Sequence, residues 1–210
     1  MKNYNYFNVP IWVEQKPEFV KSLINSSNKY ITNAKKRNKE HIKKHGDFGI
    51  SHHSTTLLLD NNFIDFRDYV GEKSWQYLDQ QGYDMSKYQI MFSELWVQEF
   101  AKKGGGHHNA HIHWNQHVCG FYFLKCSNST SYPIFHDPKT GARTTKLDMK
   151  PNIKGIWPGH DLVHYLPQPG TLIIFPGYLE HEFSLDHGKE PFRFIHFNIQ
   201  AVPKQMAKDV

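Results

Sequence analysis

Fifteen of the 210 residues are histidine, and five of these fall between positions 107 and 117. A neutral imidazole is a good donor to first-row metals, so this local surplus points first to metal chemistry. His111 and His113 flank Ile112. On a strand, residues i and i+2 share a face, so both imidazoles would project together while Ile112 packs behind. His-x-His alone is a weak signal in a chain so rich in histidine. Its weight comes from a second element, in which Pro169-Gly170 opens an apolar run, Pro176 ends it and His181 begins the next stretch. Twelve residues on, Arg193 stands within the run FRFIHFNI. A guanidinium among phenylalanines is expensive to bury unless an anion pairs with it. That anion would be either a bound carboxylate or an acidic neighbour such as Glu94 or Glu99.

Other histidines compete for the proximal role. His107 and His108 adjoin the triple glycine 104–106 and read as rim or solvent residues, and His117 reads as a turn residue. His52 and His53 read as loop residues, while His160 and His164 lie in a Gly/Pro-bounded rim stretch. Trp96 and Trp114 read as core or pocket-wall aromatics.

The elements that must carry these side chains are helical in front and extended behind. Pro17 suits the first turn of a helix. Phe19, Val20, Leu23, Ile24, Tyr30, Ile31 and Ala34 then recur at helical spacing. A second helix is expected over 62–80, with Asn61 or Asn62 as its N-cap. From about residue 88, short β-branched and aromatic runs alternate with Gly, Pro, Asn and Asp. Strands are expected at 89–100, 110–114, 118–126, 132–136, 171–176, 181–185 and 192–200, with 57–59 a further candidate. Such a series predicts a mostly β protein, an antiparallel sandwich or jelly roll braced by N-terminal helices, with 1–210 forming one domain (1–87 mainly helical support, 88–200 the β core). The triple glycine precedes a polar stretch and reads as a flexible loop rather than a phosphate cradle.

Composition narrows the function class. Thirty-one aromatic residues, 15% of the chain, argue against a disordered polymer. No apolar run is long enough to span a bilayer, and the start MKNYNYFNVPIW lacks the apolar core of a secretory signal, so no membrane role and a cytoplasmic location are expected. Cys119 and Cys126 are too few for a disulfide framework and read as ordinary buried thiols. The net charge of +5 resides entirely in segment 35–45, which has six Lys/Arg and one Glu. It reads as a solvated helix end, and nucleic acid as a partner is only weakly supported.

The series His111-x-His113-Trp-Asn115, Cys119-Gly120-Phe-Tyr122, Asp137-Pro138, Pro169-Gly170 through Pro176, His181, Arg193 and Phe197-Asn198-Ile199 resembles the Fe(II)/2-oxoglutarate-dependent oxygenases. It is most similar to the prolyl-hydroxylase-like 2OG-Fe(II) oxygenases of marine phages and bacteria, which would put a phage-encoded chain in the host cytoplasm. The resemblance implies a double-stranded β-helix, Fe(II) held by His111, His113 and His181, and 2-oxoglutarate and O2 as co-substrates. It further implies that Arg193 pairs with the distal carboxylate of 2-oxoglutarate, with Tyr122 a second hydrogen-bonding candidate. The implied reaction is hydroxylation with release of succinate and CO2. Peptide, amino acid, nucleotide and metabolite all stand as substrate classes. Two departures are visible. His113 stands where the superfamily usually has a carboxylate, and Ile195 where many members carry Ser or Thr. A cupin-type three-histidine metalloenzyme (thiol dioxygenase or isomerase) and a non-enzymatic jelly-roll binding or virion module are the alternatives.

Overall fold

In the computed structural model, residues 2, 7–139, 141, 144 and 147–205 are described. Helix α1 (Val20–Arg37) buries Leu23, Ser27, Ile31 and Ala34, one stripe at three- and four-residue spacing. A 3-10 turn over Pro17–Phe19 leads into it, and Lys35, Lys36 and Arg37 fill its last turn, where positive charge suits the helix dipole. The basic segment continues into a short helix, α2 (Lys39–His45). Helix α3 (Ile64–Asp79) buries Phe66, Val70, Ser74, Tyr77 and Leu78. The cap before it is Asp60, not either asparagine: its carboxylate accepts from the Asn62 N–H of the 3-10 turn preceding α3.

Among the described residues, ten strands follow the helices or interleave with them: β1 (Trp12–Gln15), β2 (Ser51–His53), β3 (Tyr88–Phe100), β4 (His108–His111), β5 (Val118–Lys125), β6 (Pro133–His136), β7 (Leu162–His164), β8 (Thr171–Pro176), β9 (His181–Phe183) and β10 (Arg193–Pro203). Every expected strand from 89 onward has a counterpart. Strands β1, β2 and β7 were not expected. Residues 57–59 form no strand; Leu57 instead turns the chain, its N–H on Leu95 and its carbonyl accepting from Asp60.

The strands make two antiparallel sheets, ordered β1-β8-β5-β10-β3-β2 and β4-β9-β6-β7. Strict alternation along the central strands builds two cores. On β5 and β10 one set (Val118, Tyr122, Leu124, Ile195, Phe197, Ile199) packs beneath α1 and α3 with Leu23, Phe66, Val70 and Tyr77. The opposite set (Cys119, Phe121, Phe123, Phe194) fills the space between the sheets with Phe135, Phe175 and Phe183. Gly120 sits where β5 passes closest to its neighbours; a Cβ there would collide with the Phe197 ring and the Ile173 carbonyl. Two facing antiparallel sheets with helices on the outer face of the larger one form the double-stranded β-helix architecture. Among the described residues, no helix is long and apolar enough to cross a membrane.

Candidate metal centre

The two ends of the histidine constellation are joined by sheet pairing. His111 closes β4 and His181 opens β9, and the two are register partners in the small sheet, so their rings stand side by side with centroids 4.5 Å apart. His113 lies just past β4 rather than within it. Its backbone N–H donates to the Gly177 carbonyl at 2.9 Å, which returns the ring to the same space, 5.1 Å from both His111 and His181. One ligand nitrogen from each residue lies within 4.8 Å of the others. That span is of the order of two imidazole–metal bonds of about 2.1 Å each.

The rings are aimed by their far nitrogens. His111 Nδ1 meets the Asn109 carbonyl at 2.7 Å, and His181 Nδ1 meets the Leu179 carbonyl at 2.9 Å. Only an Nδ1–H can bond a carbonyl, so Nε2 of each keeps its lone pair toward the shared space. His113 Nδ1 lies 3.1 Å from the Asn198 amide, which in turn donates to Glu94 at 2.8 Å. Nε2 of His113 and of His181 are buried with no protein partner. Buried polar atoms without partners are rare, so two that face one space are candidate metal ligands. Burial is the main force holding the His113 and His181 rings neutral. It lowers His181 to about 3, against the opposing Leu179 hydrogen bond and with His111 and His113 adding repulsion. His113 falls to about 4 through burial and the neighbouring His111. A neutral imidazole is the form a metal takes.

Phenylalanines wall the inner side. Phe175, Phe121 and Phe135 approach His181 with ring centroids at 4.7, 5.6 and 6.2 Å. The outer side is open: Ile112 is 41% exposed and Trp114 81%, so Ile112 does not pack behind the pair and Trp114 is no core residue. Trp96 does act as a wall, stacked between His53 and His196.

Arg193 and Tyr122 do not join this site. Alternation turns Arg193 away from the histidines onto the helix face of β10. There its Nε and Nη2 donate to Glu99 at 2.7 and 2.6 Å, and Nη1 donates to Ser27 and Asn28. The buried guanidinium is thus answered by an acidic neighbour on β3. Tyr122 also faces the helices, its hydroxyl donating to the Lys16 carbonyl at 2.5 Å and its ring against Phe19 and Phe66. The sets opposite these two residues, Phe121 and Phe123 on β5 and Phe194, His196 and Asn198 on β10, face the metal site.

Two residues of that inner set have no role assigned from the sequence: His196, which is not singled out, and Asn198, which appears only within the Phe197-Asn198-Ile199 run. His196 is fully buried, stacks on His113 at 4.8 Å, and leaves both ring nitrogens without partners. Asn198 touches His113 directly. The signal was available, because a parity that opposes Asn198 to Arg193 admits only one of them to the histidine face. Of the competing histidines, His108 is an inward residue of β4, 2.7 Å from Gln98 and 6.1 Å from the His111 ring. His107 bonds the Gly105 carbonyl and His117 accepts the Ala201 N–H, each outside the triad. His52 and His53 belong to β2 and His164 to β7, not to loops, and His160 bonds within its own turn at Trp157. Cys119 and Cys126 are free thiols, the first buried and the second partly so.

No curated protein matches this chain in sequence. Among solved structures it is similar to the non-haem α-ketoglutarate-dependent epimerase SnoN of nogalamycin biosynthesis, with 12% identity, 93% of this chain and 77% of that one covered, and a TM-score of 0.55. A prolyl-4-hydroxylase from Pseudomonas putida is 9% identical over 91% of this chain and 93% of its own, with a TM-score of 0.50. At these identities the likeness is one of fold. The chain spans 58% of the length of a 2OG-Fe(II) oxygenase family oxidoreductase from Burkholderia pseudomallei, which covers 70% of this chain at 12% identity with a TM-score of 0.40. A family profile described as "Putative 2OG-Fe(II) oxygenase" matches residues 94–198, half of the chain and the whole of the histidine constellation. The chain belongs to this family of 2OG-Fe(II) oxygenases, whose members use Fe(II), 2-oxoglutarate and O2.

Proposed function

We propose that this chain is a non-haem iron dioxygenase in which His111, His113 and His181 hold Fe(II), and that it hydroxylates a substrate while converting 2-oxoglutarate and O2 to succinate and CO2. The observation that carries the reading is the convergence of three imidazoles on one space, with Nδ1–H to carbonyl bonds turning the Nε2 lone pairs of His111 and His181 toward it. Bound iron supplies the redox chemistry and the open coordination positions; the chain supplies orientation and dryness. Asn198 and Glu94 steady His113 from behind, the phenylalanine wall keeps water from the inner side, and the open side at Ile112 and Trp114 admits substrate. We take 1–210 as one oxygenase unit acting in the cytoplasm, on a peptide, amino acid, nucleotide or metabolite.

The donor set fits iron better than it fits the whole of 2-oxoglutarate. Arg193 is the only buried Lys or Arg among the described residues, and it is committed to Glu99. The inward polar groups around the triad are the neutral His108, His196, Gln98 and Asn198. Among the described residues, the groups around the triad thus offer no cation for the distal carboxylate. This observation also favours a second reading, a cupin-type three-histidine enzyme such as a thiol dioxygenase or isomerase, which needs no such anchor. Anaerobic addition of 2-oxoglutarate to the Fe(II)-loaded protein separates the two. A visible charge-transfer band, followed by succinate release in air, supports the oxygenase. Retained iron without a band supports the cupin-type enzyme, and failure to retain any divalent metal leaves only the binding module.

A further inference from the structure

On the helix side of β10, remote in chemistry from the histidines, lies a cavity of about 440 Å3 with an excess of positive charge. Lys35, Lys102, Lys125, Lys189 and Arg193 line it, against only Glu99 and Glu190. Glu99 cannot neutralise this group. One of its oxygens is taken by Lys35 at 2.5 Å and the other by two nitrogens of Arg193, leaving Lys125 at 3.9 Å. Lys125 lies below the usual lysine range, first through burial and then through the charge of Arg193, with Glu99 opposing and Lys35 and Lys102 adding to the shift. Such a lysine is short of a counter-charge.

The walls are also built rather than loose. The glycine run at 104–106 is not a flexible loop but is locked to the 186–188 turn. Gly105 N–H donates to the Asp186 carbonyl at 2.8 Å, Asp186 N–H returns to the Gly106 carbonyl at 2.8 Å, and the Asp186 carboxylate holds the Gly188 N–H at 2.7 Å. Gly104 and Gly188 both take positive φ, +81° and +68°, and pack so closely that a Cβ on either would strike the other segment's backbone. Lys102 and Lys189 thus leave two interlocked turns side by side, over a floor made by the Arg193–Glu99 pair.

We propose that this cavity is a binding site for a phosphate-bearing anion carrying two or more phosphoryl groups. Several lysines around one space suit phosphate as convergent point charges, and the net charge of the lining, +3, matches a di- or triphosphate. The phosphates come either from a free phosphoanhydride or from a nucleic-acid strand. The site is independent of the metal centre and of the reaction proposed there.

Calorimetric titration of the full chain with pyrophosphate tests the assignment, with a short single-stranded oligonucleotide as the second arm. One-to-one binding is expected, falling by at least about tenfold between roughly 50 and 200 mM salt if several cations contribute. The variant Lys125→Gln/Lys189→Gln is expected to weaken pyrophosphate by at least about tenfold while retaining divalent metal as the parent does, because these side chains provide only charge-assisted contacts. Lys43→Gln/Lys44→Gln, on α2 outside the cavity, is expected to leave pyrophosphate binding unchanged. Competition between oligonucleotide and pyrophosphate identifies a strand's phosphates as a natural source, and its absence identifies a small molecule. No pyrophosphate binding, equal binding by the Lys125/Lys189 variant, or loss in the α2 variant would overturn the proposal.

Discussion

Replacing Arg193 decides between its two conceivable duties. In the structure Arg193→Ala strips Glu99 of both donors to one oxygen and leaves Ser27 and Asn28 without their guanidinium partner. Glu99, with 8% of its side chain exposed, then depends on Lys35 at 2.5 Å and the more distant Lys125 at 3.9 Å. Breaking a buried ion pair from one side costs about 3–5 kcal/mol, and the surviving Lys35 contact points to the lower end. In a domain of this size about 3 kcal/mol corresponds to a fall in Tm of roughly 6–12 °C. Arg193→Met with Glu99→Met removes both charges at similar volume and should recover most of that loss. The acid side carries a further signature. Burial by itself would raise the Glu99 carboxyl, but the Lys35 hydrogen bond and the Arg193 charge together hold it below its ordinary value. A carboxyl depressed in the folded state stabilises fully above its unfolded pKa of about 4.3 and loses that contribution as pH falls through the folded value. The Arg193→Ala protein should therefore show a weaker stability loss across this acid window than the parent. Thermal melts by circular dichroism from pH 7 to pH 3 measure all three quantities. A single variant melting within about 2 °C of the parent, together with loss of the stabilisation that 2-oxoglutarate gives the Fe(II) form, would refute the structural role and return Arg193 to the co-substrate.

Three further outcomes are expected. His181→Ala should lose divalent metal by more than the roughly 10–100-fold that removing the outer partner Asn198 costs, measured by equilibrium dialysis with Co(II) or Fe(II); equal retention by His181→Ala would remove the ligand set. Gly120→Ala should lower stability by roughly 1–3 kcal/mol or more, because the added methyl meets Phe197 and the Ile173 carbonyl, and an unchanged denaturation midpoint would contradict that packing. His196→Phe should leave stability unchanged or raise it, since both nitrogens of the native ring are buried without partners; a loss above about 2 kcal/mol would show that the imidazole has a partner in solution.

The strands from β3 onward, β7 apart, were readable because turn residues bracket short apolar runs, and the histidine trio because its members stand next to identifiable strand ends. Strands β1, β2 and β7 escaped because each is only three or four residues long and is defined by its pairing, as in Trp12 against Ile174 or His53 against Gln98. The glycine run misled for a related reason: small residues mark mobility when solvated and close approach when another backbone lies across them, and only the 186–188 turn distinguishes the two. Arg193 and Tyr122 were misplaced by following motif order rather than parity. In a β-helix the order of residues fixes which strand they occupy, whereas the side they serve follows from odd or even position. His196 and Asn198 follow from the same count, and local composition gave no sign of them.

Because β10 divides two interiors of opposite character, the register within the strand matters more than the length of the connection before it. The register against β5 already shifts between Arg193 and Phe194. A residue added or removed in the exposed stretch 189–191 can be absorbed at the surface with the strand unmoved. The same change inside the strand would rotate a guanidinium in among the phenylalanines and send a histidine out beneath α1.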